Sequence, residues 1–361
     1  MTALLALGPV RTLDWQGPAI VTACTAQAAW GQLLLLTESG GLHGMDLDSG
    51  HSQRLAQLEL PTPTPPRPYG PHGFKLHCAL SGGYAVVVDD GGSFGVLVNL
   101  GTGDVVAPLH GGDYHTHTVP FSIAFTQHQG RDVLIHRTDW NRLDVMDCAT
   151  GTNLTERDGT QYEQPHYLDF FHGALLLSPS REHVLDDGWV WAPVGIPTVW
   201  SLPAWLEGNR WESEDGPTRK RLAQGEGWAE PCVWLDDAHI AIWNLGNWEE
   251  DGFGDGGHVP GVAVFDIHAP RPEDGHGGIA WPMPELPRAQ HLHCMAGILC
   301  VVAQGQSWLW DVTTRALLAH AQDFAPQGLH RQRGELLQWS AQHVRVCCPE
   351  ALHAGLRALK R

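Results

Sequence analysis

Seven short turn segments recur along the chain, each behind a pair of apolar runs: LDSG at 47–50, LGTG at 100–103, CATG at 148–151, LPAW at 202–205, IHAP at 267–270, VTTR at 312–315 and CCPE at 347–350. Taking Gly50, Gly103, Gly151, Ala204, Pro270, Arg315 and Glu350 as markers, the spacings are 53, 48, 53, 66, 45 and 35. The runs before the turns read QLLLLTE then GLHGMDL, YAVVVDD then GVLVNL, DVLIHRT then RLDVMD, HIAIWNL then GVAVFDI, and ILCVVAQ then SWLWDV. These are alternating or continuous apolar stretches of strand length, with no 3.6-residue period before PEALHAGLRALKR at the end. A unit of roughly 40–50 residues built from short strands and tight turns is the signature of a four-stranded propeller blade. The expectation is an all-β chain, one seven-bladed β-propeller over residues 1–361. The last unit has little strand-forming sequence after HVRVCCP, so its outer strand is expected from TALLALG at 2–8, closing the ring and removing a sheet edge. Residues 349–361 are expected to form a short C-terminal helical tail.

Charge narrows the partners. The chain carries 22 Lys and Arg against 40 Asp and Glu, a formal net charge of -18. A field of that sign repels nucleic acid and anionic membrane surfaces and favours a basic partner. The N-terminal MTALLALGPVRTLDW has no basic region ahead of its apolar run, and no later stretch reaches the roughly 18 apolar residues of a membrane span. These features predict a cytoplasmic protein. The eight cysteines agree, because none forms a C-x-x-C pair and most sit singly in apolar strands, where a reduced cysteine behaves as a small hydrophobe. Cys347 and Cys348 are adjacent; two core thiols, rather than a strained vicinal disulfide, are expected there.

Loop lengths suggest a working face. The connections from first to second strand are short, as at 81–83, 127–130 and 295–297, while long segments run over 62–73, 110–120, 157–166, 207–230, 246–261 and 269–287. Long loops on one face of a compact fold are most often functional. Of the 16 tryptophans, Trp140, Trp189, Trp191, Trp211, Trp228, Trp248 and Trp281 fall in or beside these loops, whereas Trp200, Trp234, Trp243, Trp308, Trp310 and Trp339 sit in strands as core. Carboxylates lie among the loop tryptophans: Asp89, Asp90, Asp139, Asp169, Asp186, Asp187, Glu249, Glu250, Asp251 and Asp255. An aromatic and acidic rim suits Lys, Arg or amine ligands through cation–π contact and charge-assisted hydrogen bonds. The expected binding face comprises Arg137, Asp139, Trp140, Asn141, Arg142, Asp186, Asp187, Trp189, Trp191, Trp248 and Asp251. Two bland readings stand beside it. The indoles could simply anchor loops, and the polar groups of HRTDWNRLDV at 136–145 could bond neighbouring backbone. Asp144 and Asp147 read as structural strand-three carboxylates.

Catalytic signals are weak. The chain has no G-x-S-x-G, no Gly-rich phosphate loop after a strand and no Cys/His protease motif. His115 and His117 would point the same way in an extended HTH and, with His166, are the weak candidates for a metal. WEEDGFGDGG lacks the spacing of an EF-hand. No cofactor is predicted, although a divalent cation held by Asp, Asn and His in the central funnel is the rival arrangement.

The segments GGDYHTHTVPFSIAF, IHRTDWNRLDVMDCATGTNLTER, HYLDFFHGALLLSP and LDDGWVWAPVGIPTVWSLPAWL resemble a group of bacterial WD40-like β-propeller proteins, over roughly residues 70–320. That family carries no established activity, so the resemblance implies the fold and transfers no catalytic residue. The Trp-Asp blade endings of WD40 repeats are mostly missing here, with one at Trp310-Asp311. The sequence therefore points first to a non-enzymatic scaffold binding a protein, peptide or cationic ligand on its long-loop face. A metal-dependent hydrolase or lactonase with its site in the funnel is the alternative.

Overall fold

A computed structural model describes residues 7–65, 72–158, 161–191, 193–225, 227–243, 260–270 and 278–359. It is an all-β, seven-bladed propeller: seven four-stranded antiparallel sheets with, among the described residues, three short α-helices. Blades 1 to 4 belong to one compact unit, residues 17–229, and blades 5 to 7 to a second, residues 1–16 and 230–361.

In the first unit, blade 1 runs Ile20–Ala28, Gly31–Thr37, Gly41–Met45 and Ser52–Gln57, and blade 2 runs Phe74–Cys78, Tyr84–Asp89, Phe94–Asn99 and Val105–His110. Blade 3 is Ile123–His128, Arg131–Asp139, Arg142–Asp147 and Thr152–Asn153; blade 4 is Phe171–Leu177, His183–Val190, Val194–Ser201 and Lys220–Arg221. The second strands centre on apolar runs, such as 33–36, 85–88 and 133–135, because each is covered on both faces. Leu34 and Leu36 pack with Val87 and Val98 of blade 2. Val86 and Val88, offset by one residue from Val87, pack instead with Phe125 and Leu134 of blade 3, and Val133 and Ile135 pack with Val184 and Trp200 of blade 4. Two-residue alternation thus splits each apolar run between two inter-blade cores.

The second unit repeats the scheme. Blade 5 is Cys232–Trp234, His239–Trp243, Gly261–Asp266 and Ile279–Pro282; blade 6 is His291–Met295, Ile298–Ala303, Gln306–Asp311 and Leu317–Ala321. Blade 7 is Gly328–His330, Glu335–Trp339 and His343–Cys347, and its fourth strand comes from the N-terminal segment, antiparallel to His343–Cys347. That strand is Val10–Asp14 rather than the expected 2–8, of which 2–6 lie outside the described residues. Leu7 packs into the core of blades 6 and 7, and Gly8, at φ +113, passes within contact of the Cys348 carbonyl before pairing begins. A C-terminal helix follows at Glu350–Leu359, and Cys347 and Cys348 are unbridged. No helix among the described residues is long and apolar enough to cross a membrane.

The turn repeat has a physical cause. Oδ1 of a residue at or just past the end of strand three accepts a backbone N–H two or three positions on: Asp46 from Ser49 (2.7 Å), Asn99 from Gly101 (2.8 Å), Asp147 from Ala149 (2.9 Å), Asp266 from His268 (2.8 Å) and Asp311 from Thr314 (2.6 Å). Gly50, Gly103 and Gly151 then adopt positive φ, and Arg315 does the same without being glycine. LPAW departs from the pattern. It opens a helix, α1 (Leu202–Glu207), in which the Ser201 side chain accepts the Ala204 N–H and a proline stands in the first turn.

Loop placement also differs from expectation. Residues 202–219, which include α1 and a second helix α2 (Glu212–Asp215), and residues 267–278 connect third to fourth strands. In an antiparallel blade those connections leave from the same end as the short first turns. The opposite end keeps 111–122, 154–170 and the connection from Val190 to Val194, so elaboration is shared between the two ends.

Candidate functional site

At the latter end of blades 3 and 4, three segments of the first unit bring aromatic rings together. Residues 111–122 carry Tyr114 and His115, the turn between the second and third strands of blade 3 carries Trp140, and blade 4 supplies Phe171, Trp189 and Trp191. Gly112, at φ +75, lets the loop lie on the blade 3 turn, since a Cβ there would meet Asp139 Oδ1 at 2.5 Å and Trp140 N at 2.8 Å. The floor is a stack: Phe171 on Trp189 (centroids 4.3 Å, 9°) and Trp189 on Trp228 (5.1 Å, 21°). Thr118 ties the stack to the loop, because its hydroxyl accepts Trp189 Nε1–H at 3.2 Å and its carbonyl accepts Trp228 Nε1–H at 2.9 Å.

Trp191 lies beyond the last strand pair, Val190 with Val194, and stands edge-on to Trp189 (4.8 Å, 78°) and His115 (5.2 Å, 80°). Trp140 leans on Phe171 (4.7 Å) and Tyr114 meets Trp140 (5.3 Å). The two indoles expected to act together are therefore separated. Trp189 is 1% exposed and is packing, whereas Trp191 is 51% and Tyr114 49% exposed. The upper surface is a rigidly backed aromatic patch.

The polar residues predicted for this face are mostly inside. Arg142 forms a paired contact with Asp144 (2.7 and 3.3 Å), and Asn141 Nδ2–H donates to the Leu168 carbonyl at 2.9 Å. Asp186 is fully buried, accepting from Gly173 N–H (2.9 Å) and meeting His172 Nδ1 at 2.6 Å, and Asp187 is buried next to it. Asp139 is half-buried and caps the turn by accepting Trp140 N–H at 2.7 Å. Arg137 is buried over the Phe121 ring (4.8 Å) and donates to the Gly92 carbonyl at 3.1 Å. Strand position explains this: Arg137 and Asp186 sit inside second strands, where both faces are covered. Trp248 and Asp251, with Glu249, Glu250 and Asp255, lie outside the described residues.

Burial sets the electrostatics beneath the patch. The Asp90 carboxyl, which accepts Phe121 N–H at 3.1 Å, is pushed up to about 6 by desolvation. Desolvation brings the Arg137 guanidinium down to about 10, against the opposing pull of Asp90, Asp139 and Asp186. Burial and then the Asp169 charge raise the Tyr167 phenol, with Tyr114 contributing. Asp113 and Asp169 remain exposed beside the rings.

The histidines do not assemble. His115 takes a left-handed backbone (φ 49) ahead of the short 3-10 turn Thr116–Thr118, so HTH is not extended, and the His115 and His117 rings stand 5.9 Å apart. His166 stacks on Trp211 (4.4 Å) and meets Asp215 at 2.9 Å, engaged with α2. Among the described residues no group of three or more His, Cys, Asp or Glu is placed to hold a metal.

Tyr114 was not anticipated by sequence reasoning. The glycine pair Gly111-Gly112 just before it, which lets the loop fold onto the neighbouring turn, was the available signal.

Comparison with known proteins adds no assignment: no protein-family model matches the chain, and no curated protein matches it.

Proposed function

We propose that the aromatic patch of blades 3 and 4 binds a cationic segment of a protein or peptide, and that the propeller acts as a non-enzymatic scaffold. The observation that carries this reading is the pair of half-exposed rings, Trp191 and Tyr114, held by a buried stack that leaves them little freedom to lose on binding. Large aromatics presented this way are the usual anchors of interfaces. Exposed Asp113 and Asp169, and a chain charge of -18, bias the partner toward Lys and Arg. WD40-like kinship, resting on TDWNRLD and DDGWVWAP, is part of the same reading, as is a cytoplasmic location, which eight unbridged cysteines suit. No specific observation favours the hydrolase or lactonase alternative.

The test is a titration of the full chain with arginine- and lysine-rich peptides, followed by tryptophan fluorescence. Loss of one cation–π contact of about 0.5–2 kcal/mol weakens binding by about twofold to thirtyfold, so Trp191→Ala and Tyr114→Ala should show losses in that range. Equal binding of neutral peptides, or unchanged affinity in both variants, would overturn the reading.

A further inference from the structure

Cys24 and Cys78 are far apart in the chain but occupy the first strands of blades 1 and 2, which are neighbours without being hydrogen-bonded to each other. Both thiols are unbridged and partly exposed, and that of Cys24 lies within hydrogen-bonding reach of that of Cys78. They line an open cavity of about 270 Å³ with Leu76, His77, Leu80, Phe125 and Arg181. None of the other six cysteines lines it, and four of those, Cys148, Cys294, Cys300 and Cys347, are buried.

We propose that this thiol pair is a two-coordinate site for a soft monovalent cation of the copper(I) class. Thiolate sulfur is the soft ligand such ions select. A closed-shell monovalent ion is satisfied by two ligands in line, whereas structural zinc takes four, and no group of three or more donors exists among the described residues. Binding forms two metal–sulfur bonds and breaks two S–H bonds, sending both protons to solvent; no electron is transferred. The product carries one negative charge. Arg181, whose guanidinium donates to the Phe125 carbonyl at 2.7 Å, lies in the cavity wall to offset it. This site is separate from the aromatic patch and does not depend on it.

The experiment titrates the reduced full chain, under nitrogen, with copper(I) held by a coloured chelator. Wild type, Cys232→Ser and Cys348→Ser should each withdraw one equivalent, the latter two being controls for the remaining partly exposed thiols. Cys24→Ser and Cys78→Ser should withdraw none while melting like wild type without metal. A second measurement needs no variant: copper(I) should protect Cys24 and Cys78 together from alkylation, read by peptide mass spectrometry. Withdrawal by Cys24→Ser and Cys78→Ser equal to wild type, no withdrawal by wild type, or alkylation of both thiols with copper present would overturn the proposal.

Discussion

Each unit has its own concentration of tryptophan, and the two differ in what covers the rings. In blades 5 and 6, Trp281 meets Trp310 edge-on (6.2 Å), Trp308 stacks on His320 (4.9 Å, 7°), and the Arg315 guanidinium lies over Trp281 (5.6 Å). Trp281 and Trp308 are buried and belong to the inter-blade core. In blades 3 and 4 the rings begin the same way, with Trp189 stacked and buried, but the assembly continues outward through Trp191 and Tyr114 into solvent. The difference lies in the carrier. Trp308 and Trp310 ride on a strand, where neighbours close over both faces, whereas Trp191 rides on a turn past the last strand pair. Tryptophan count does not mark a surface; position relative to the strand end does.

The largest expected effects come from breaking what lies beneath the patch. Arg157, buried, pairs with Asp144 at 2.7 Å and with Glu214 of α2. Arg157→Ala leaves buried Glu214 without its cation, while Asp144 keeps Arg142, and should lower the unfolding free energy by about 3–5 kcal/mol; denaturant titration checks it, and a loss below about 1 kcal/mol would place Glu214 in contact with water. Trp189→Ala and Trp308→Ala should each cost about 3–5 kcal/mol by removing a buried ring. If Trp189→Ala were tolerated, the buried start that the two regions share would be lost and Trp189 would belong to the surface.

Next in size is a dependence on pH that slopes oppositely in the two units. Burial raises folded Asp90 from 3.8 to about 6, so the folded chain keeps a proton that the unfolded chain has lost. That stability is full below about pH 4 and gone above about pH 6. Asp90→Asn should therefore stabilise the protein by about 3 kcal/mol at pH 7.5 and leave it unchanged below pH 4. His293, whose ring meets the Pro326 carbonyl at 3.1 Å, is lowered from 6.5 to about 4, chiefly by burial. Its contribution is full above pH 6.5 and lost as pH falls through about 4. Melting curves across pH 3.5–8 separate the two; a gain in Asp90→Asn that did not vary with pH would show that Asp90 is not the titrating group. The smallest stability effect is expected for Trp191→Ala, within about 0.5 kcal/mol of wild type.

Much of the fold was legible because blade architecture writes itself locally. Asx-capped turns and doubly covered strands leave signals within a few residues, and seven blades followed from them. The start of α1 was also readable in Ser201-Leu202-Pro203, an N-cap ahead of proline, but the repeat made LPAW look like another turn. What stayed hidden depends on distant contacts. Segment 2–8 is more apolar than Val10–Asp14, yet pairing with His343–Cys347 falls to the latter. Trp189 and Trp191 are two residues apart in one strand-like run, and only the coverage of Trp189 by Trp228 and the Thr118 loop distinguishes them. Arg137, Asn141 and Asp186 looked like surface chemistry because their residue types are usually exposed; position inside covered strands and turns turns them inward. Cys24 and Cys78 looked like isolated core cysteines because their meeting requires two blades to be side by side.

The most direct test of the central claim is to measure, in one series, the affinity of wild type, Trp189→Phe and Trp191→Ala for an arginine-rich peptide, at low and at physiological ionic strength. The account predicts that Trp189→Phe, which keeps a ring in the stack, binds like wild type. Trp191→Ala should lose affinity at both salt concentrations while melting normally, and added salt should weaken every variant that binds. Full affinity in Trp191→Ala, or a loss confined to Trp189→Phe, would contradict it and return the patch to the role of loop packing.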